Sequence, residues 1–314
     1  MSAASIIELR EVSKSFGSTQ ALREVSFDLA QGEVHALTGE NGAGKSTLIK
    51  IISGVHTDYT GELYLDGRLY RFRSPEDAAH AGVASIHQEL SLVGSMTVAD
   101  NLLLGETGAA YGIWPGRAGR QATRRILSSV DLDLDPEQFV ETLPLSIRQL
   151  IEIARALGRN ARVLVMDEPT SALNQREASA LFERIDRLRA RGTSIIYISH
   201  RMEEIYRLAD RITVLRDGMR VTTAPLGELP KSALIEKMVG KPLTRSRETR
   251  RFEFGEPVLT VRNLSVEDPR RPGQDLVDSI SFTLRRGEIL GLAGLVGSGA
   301  SELLHALFGS LKTR

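Results

Sequence analysis

Apolar and polar positions change period several times along the chain. Glu33–Thr38, Arg162–Met166 and Ser194–Ser199 are short, mostly apolar runs that predict buried strands. Lys45–Ser53 and Gln175–Ala190 recur with helical spacing, and the second carries a charged face. Strands separated by helices predict an α/β fold with a parallel sheet flanked by helices. From about Ser91 to Leu157 the patterning is mostly helical, which predicts a separate helical lobe.

The same pattern returns later in the chain. Residues 25–54 align without a gap onto 280–309, an offset of 255, with 12 of 30 positions identical. The matches include Phe27/Phe282, Gly32/Gly287, Glu33/Glu288, Gly39/Gly294, Gly42/Gly297, Gly44/Gly299 and Ser46/Ser301. The repeat predicts one domain over 5–240, with its lobe at about 91–157, and a second copy over 257–314. That second copy stops just after its first helix and is expected to be incomplete. The intervening 241–256 opens with a polar, basic run that includes Arg245, Arg247, Arg250 and Arg251. It reads as a solvated linker, with nucleic-acid contact as the weaker alternative.

Composition narrows the classes. The 314 residues hold 40 Lys+Arg and 40 Asp+Glu, so the net charge is zero and a generally basic nucleic-acid binder is disfavoured. A hydrophobic share of 41% with 25% charged residues fits a globular protein. There is no cysteine, which excludes disulfides, thiolate catalysis and cysteine-ligated zinc. No uncharged apolar run is long enough to cross a bilayer, and the N-terminus lacks the pattern of a secretory signal. Work at a membrane is therefore expected from the cytosolic side and through a partner.

The chemistry concentrates at strand ends. Gly39-Glu40-Asn41-Gly42-Ala43-Gly44-Lys45-Ser46, followed by Thr47, fits G-x-x-x-x-G-K-[ST] between a strand and a helix. Glycines let backbone N–H groups converge on phosphate oxygens, and the helix N-terminus adds positive potential. Lys45 can reach the β- and γ-phosphates, and the Ser46 hydroxyl can ligate Mg²⁺. Val163-Leu164-Val165-Met166 delivers Asp167 and Glu168 at another strand end. Asp167 suits the Mg²⁺ shell, and Glu168 suits a general base for an attacking water. His200 follows a third strand, where it can contact the γ-phosphate.

These residues resemble the ATP-binding-cassette ATPases. The resemblance makes Gln88, in Ile86-His87-Gln88-Glu89, the Q-loop residue that reaches the nucleotide and its metal. It places Ser171-Ala172-Leu173-Asn174 at the D-loop and His200 at the switch histidine, and it makes Phe16 the aromatic that stacks on adenine. It implies a P-loop NTPase fold with a mainly parallel sheet, an antiparallel β portion and a helical lobe, and ATP with Mg²⁺ as ligands. Leu37–Leu48, Tyr197–Ile205 and Ala209–Gly218 resemble the branch that energises monosaccharide importers of the ribose, galactose, xylose and arabinose type. That branch implies membrane permease subunits, an indirect periplasmic or extracellular sugar-binding protein and a second cassette as partners. It also implies a peripheral place on the cytoplasmic face of the membrane, and no nucleic-acid partner.

Two stretches depart from the family pattern. The signature loop, usually Leu-Ser-Gly-Gly-Gln, reads here, without gaps, Leu143-Pro144-Leu145-Ser146-Ile147-Arg148-Gln149. Pro144 lacks an N–H and Leu145 blocks close backbone approach. The second phosphate loop has Ala300 where lysine is expected. In the family's head-to-tail dimer both belong to one composite site. The pattern therefore implies one working and one degenerate site, the working one needing a signature loop from beyond residue 314. Asn174 replaces the usual D-loop aspartate. Two rival readings are a soluble tandem-cassette ATPase acting on ribosomes or DNA, and a truncated nucleotide-binding module without turnover.

Overall fold

The computed structural model describes residues 5–86, 91–104, 116–171, 173–241, 254–268, 271, 273–294 and 297–313. The chain divides into two units, Met1–Leu243 and Thr244–Arg314. Unit one runs β1 (Ser5–Phe16), β2 (Thr19–Ala30), β3 (Val34–Thr38), α1 (Lys45–Ile52), β4 (Thr60–Leu65), β5 (Arg68–Tyr70), α2 (Pro75–His80), β6 (Val83–Ile86) and α3 (Val98–Leu103). It continues α4 (Gly116–Ser128), α5 (Leu145–Gly158), β7 (Val163–Asp167), α6 (Gln175–Ala190), β8 (Ser194–Ile198), α7 (Met202–Leu208), β9 (Arg211–Arg216), β10 (Met219–Pro225) and α8 (Lys231–Val239). Unit two holds β11 (Pro257–Glu267), β12 (Asp275–Arg285) and α9 (Ala300–Leu307).

Among the described residues, the central sheet has the order β10-β9-β3-β8-β7-β6. It is parallel from β9 to β6, and β10 returns antiparallel. A second, antiparallel sheet has the order β2-β1-β4-β5. Strands β3, β7 and β8 are mostly apolar because both of their faces are buried, with His35, Thr38 and Ser194 as buried polar exceptions. On β7, Val163 and Val165 join a core with Phe27 of the antiparallel sheet and Leu48 and Ile52 of α1. Leu164 and Met166 join a different core with Ile153 of α5 and Ile185 of α6. The period of two thus places one layer on each face. The layers carry the ends of β3, β7 and β8 side by side, which is where ligands of such sheets bind.

The expected elements are present with shifted ends. Strand β3 starts at Val34, because the Glu33 carboxylate turns back to accept from the Ala30 amide at 2.6 Å. Strand β8 stops at Ile198, because Ser199 is drawn into a side-chain network described below. The 91–157 stretch holds α3, α4 and α5. A capping box fixes the start of α3: Thr97 accepts from the Asp100 amide, and Asp100 accepts from that of Thr97.

The β1–β2 pair explains why its strands were not predicted. Glu11 and Glu24 lie in the left-handed region, with φ of 49° and 46°, and each breaks the alternation as a bulge. Ser26 Oγ accepts from the Glu11 amide at 3.1 Å, and Ser13 Oγ accepts from the Glu24 amide at 2.8 Å. Unit two repeats this device. Asn263 and Ser279 have φ of 47° and 53°, and their amides donate to Ser281 Oγ and Ser265 Oγ at 2.8 and 2.9 Å. The repeat read in the sequence is thus also a repeat of local geometry. Unit two has a small core of Val266, Val277, Leu303 and Ala306, and Ile289 and Phe308 are almost fully exposed.

Candidate functional site

The loop after β3 is built by two close approaches. A Cβ on Gly39 would lie 2.2 Å from the Leu215 carbonyl oxygen of β9. Gly44 caps α1 in the left-handed region, with φ 101°, and a Cβ there would lie 2.7 Å from both Ala21 O and Leu22 Cδ2 of β2. Only glycine lets the loop sit this close to both sheets. The α1 amides that no helical carbonyl can satisfy then open onto the loop. Lys45 Nζ folds over it, donating to Gly39 O at 2.7 Å and Glu40 O at 3.0 Å. Burial pulls the Lys45 ammonium below its ordinary range, while the Glu168 and Asp167 carboxylates push it upward.

Across the cavity, Asp167 ends β7 and Glu168 follows with φ 46°, a left-handed backbone for a non-glycine residue. The Glu168 amide donates to Ile198 O at 3.0 Å, joining the ends of β7 and β8. His200 Nδ1 lies 2.9 Å from Glu168 Oε1. A carboxylate only accepts, so Nδ1 is the donor in this contact. Phe16, at the end of β1, is 46% exposed. It meets the His56 ring edge-on with centroids 5.2 Å apart, and Lys14 Nζ lies 4.7 Å from its centroid. Lys14 is itself buried and held by Asp58, at 2.8 Å to the carbonyl and 2.5 Å to the carboxylate.

One cavity of about 1100 Å³ is lined by Phe16, Gly39 through Thr47, Asp167, Glu168 and His200, so thirteen sequence-predicted positions converge on it together with Ala21, Ile198 and Met238. Gln88 lies outside the described residues, as do Ala172 of the D-loop and Leu295 and Val296 of the second phosphate loop. Met238 was missed because it lies on α8, far from every motif. It reaches β3, with its sulfur 3.8 Å from Thr38 Oγ1.

The donor set suits a nucleoside triphosphate with a divalent ion. Two glycine cradles leave no room for a side chain, and a lysine that donates to two loop carbonyls stands over them. Among the described residues, no cluster of three His, Cys, Asp or Glu side chains is placed to hold a metal. An ion taken by Ser46 and Asp167 would share phosphate oxygens, as Mg²⁺ does at such sites.

The departures have structural settings of their own. Pro144 precedes α5 without a side-chain cap, Ser146 Oγ donates to Glu177 Oε1 at 2.9 Å, and Gln149 Nε2 donates to Pro169 O at 2.5 Å. In unit two, Gly299 caps α9 with φ 85°, and a Cβ there would lie 2.4 Å from Leu276 O. The cradle geometry recurs at that position, but Ala300 brings no amine.

The family profile described as ABC transporter matches residues 22–171. The xylose import ATP-binding protein XylG of Thermoanaerobacter pseudethanolicus is 42% identical over 98% of this chain and 62% of its own. The ribose import ATP-binding protein RbsA of Chromobacterium violaceum is 45% identical, over 97% and 59%. The arabinose import ATP-binding protein AraG of Rhizobium meliloti is 44% identical, over 98% and 59%. The chain thus spans about three fifths of the length of these curated relatives. Among solved structures, a nucleotide-free ATP-binding cassette from an ABC transporter is 26% identical, with a TM-score of 0.64 over 76% of this chain and 96% of that one. A second such cassette, in its ADP conformation, is 27% identical with a TM-score of 0.64, over 75% and 97%.

Proposed function

We propose, from the premise that this chain belongs to the ABC transporter family and has the P-loop cassette fold of its ATPases, that it binds and hydrolyses ATP to energise import of a monosaccharide. The observation that carries this reading is one cavity in which the glycine loop faces the Glu168–His200 pair. The names of the relatives, all import ATP-binding proteins for xylose, ribose or arabinose, support the sugar class.

The loop amides and Lys45 hold the β- and γ-phosphates, and Phe16 offers a face for adenine. Ser46 and Asp167 would hold Mg²⁺, with Gln88 assigned the same task by resemblance. The ion, when bound, neutralises charge on the phosphates. Glu168 accepts a proton from water as the water oxygen bonds to the γ-phosphorus and the bond to the ADP oxygen breaks. His200 holds Glu168 and contacts the γ-phosphate. Lys45 gives two of its three N–H donors to Gly39 O and Glu40 O, and the third serves a phosphate oxygen.

The partners in this reading are membrane permease subunits, reached from the cytoplasmic face, with a sugar-binding protein acting on the far side. Among the described residues no helix is long and apolar enough to cross a membrane. A second cassette supplies the signature loop of the working site. Pro144–Leu145 and the Ala300 loop each depart from the family's phosphate-contacting pattern.

Glu168→Gln keeps the side-chain size and removes the base. In the assembled transporter it is expected to lower turnover by about 10²- to 10⁴-fold with ATP binding retained. Normal turnover by this variant would refute the assignment of the base.

A further inference from the structure

Glu204 stands in the first turn of α7 and is not among the groups that line the ATP cavity. An acidic residue in a first helical turn is ordinarily a solvated one that complements the helix dipole. Here its carboxylate is buried, at 5% exposure, and three hydroxyls donate to it. Thr170 Oγ1 reaches Oε1 at 2.6 Å, while Tyr197 OH and Ser199 Oγ reach Oε2 at 2.9 and 2.8 Å. Arg201, half-exposed, supplies the counter-charge from 3.4 Å.

The identity of the three donors matters. Thr170 lies two residues after Glu168, and Ser199 immediately precedes His200. Both are buried. Tyr197 is the fully buried penultimate residue of β8, and its phenol is raised far above its ordinary range, by burial first and then by the Glu204 charge. Ser199 Oγ also accepts from the Arg201 amide at 3.0 Å, so its donor is committed to Glu204. Its carbonyl takes Thr38 Oγ1 at 3.4 Å, from the residue before Gly39. The Glu168 turn holds a left-handed backbone that costs energy and persists only where its surroundings fix it.

We propose that Glu204 is a positioning residue for ATP hydrolysis, tying the Thr170 and Ser199 hydroxyls together so that Glu168 and His200 keep one register across the ends of β7 and β8. The proposal rests on the reading of Glu168 as the base. The clamp acts on the attack step, because it touches neither the glycine loop nor Phe16. Its loss therefore lowers the rate and leaves nucleotide affinity in place. Misplacement of a reacting group by about 1 Å costs roughly 10²-fold in rate, which sets the upper size of the effect.

The test measures steady-state ATP turnover and ATP affinity of the full chain in its assembled transporter, for the unsubstituted protein and four variants. Glu204→Gln turns one acceptor oxygen into a donor that faces hydroxyls. Thr170→Val removes one hydroxyl at constant shape, and Thr170→Ser keeps it. Glu168→Gln is the control. The expected result is a fall in kcat of about 10- to 100-fold for Glu204→Gln and Thr170→Val, with the KM for ATP and the ATP affinity unchanged and Thr170→Ser close to normal. If Glu204→Gln fails to fold, the Thr170 pair carries the test alone. Normal kcat in Thr170→Val beside a silent Glu168→Gln overturns the clamp and spares the base. Parallel losses of kcat, affinity and melting temperature, with no rescue by serine, also overturn it and leave a merely structural residue. Turnover by Glu168→Gln overturns the reading beneath it.

Discussion

The backbone at Glu168 makes a prediction about stability that is separate from chemistry. With φ at 46°, Glu168 occupies a region that is open to glycine and costly to other residues. Glu168→Ala and Glu168→Gly both remove the carboxylate and its 2.9 Å contact with His200. Those losses cancel in a comparison of the two variants, which isolates the backbone. Left-handed backbone costs about 1–2 kcal/mol for a residue with a Cβ. Glycine loses about 0.4–1 kcal/mol more conformational entropy on folding than alanine. The difference favours the glycine variant by roughly 0.5–1 kcal/mol. For a unit of this size that corresponds to about 1–4 °C in melting temperature. Scanning calorimetry of the full chain, following the transition of unit one, reads this directly. The glycine variant is expected to melt above the alanine variant, and both to lack turnover. An alanine variant that melts at the same temperature or higher would refute the strain argument.

Two further outcomes follow from the site and its frame. Phe16→Ala removes the face offered to adenine and is expected to weaken ATP binding by about 5- to 150-fold, the worth of one base stack. Inorganic triphosphate, which has no base, should compete equally well in both proteins in a displacement titration. The second concerns acid. Asp28 is held below its ordinary carboxylate range by the Arg211 guanidinium, which bonds it at 2.7 and 3.1 Å, against a partial opposing effect of burial. A depressed carboxylate adds stability above its unfolded value, and this is lost as pH falls through the lower folded value. The melting temperature should therefore drop with falling pH below about pH 4. In Arg211→Met, which also takes a partner from Glu33, that slope should be shallower.

The phosphate loop and the Asp167–Glu168 pair were legible because their chemistry is local. A strand, a glycine-lined turn and a helix lie consecutively in the chain, and Lys45 sits where all three meet. The parallel sheet was legible because strands buried on both faces are mostly apolar runs. The antiparallel portion was implied by the family resemblance alone, and the hydrophobic pattern did not place its strands, because the bulges at Glu11 and Glu24 reverse the side-chain alternation within β1 and β2. Glu204 was illegible for a different reason. In Met202-Glu203-Glu204-Ile205 it looks like its neighbour Glu203, which is exposed and paired with Lys231 at 2.9 Å. What separates the two is the set of hydroxyls that tertiary packing brings to one of them. Met238 enters the cavity only because α8 returns to β3.

The account depends on the triphosphate being held by the loop and its lysine. Calorimetric titration of the purified chain with Mg-ATP tests this most directly, with Lys45→Ala alongside. Saturable binding is predicted for the unsubstituted chain. A loss of about 10- to 100-fold is predicted for the variant, the worth of charge-assisted hydrogen bonds to the phosphates. Equal affinity in the two proteins, or no binding heat from the unsubstituted chain, would contradict it.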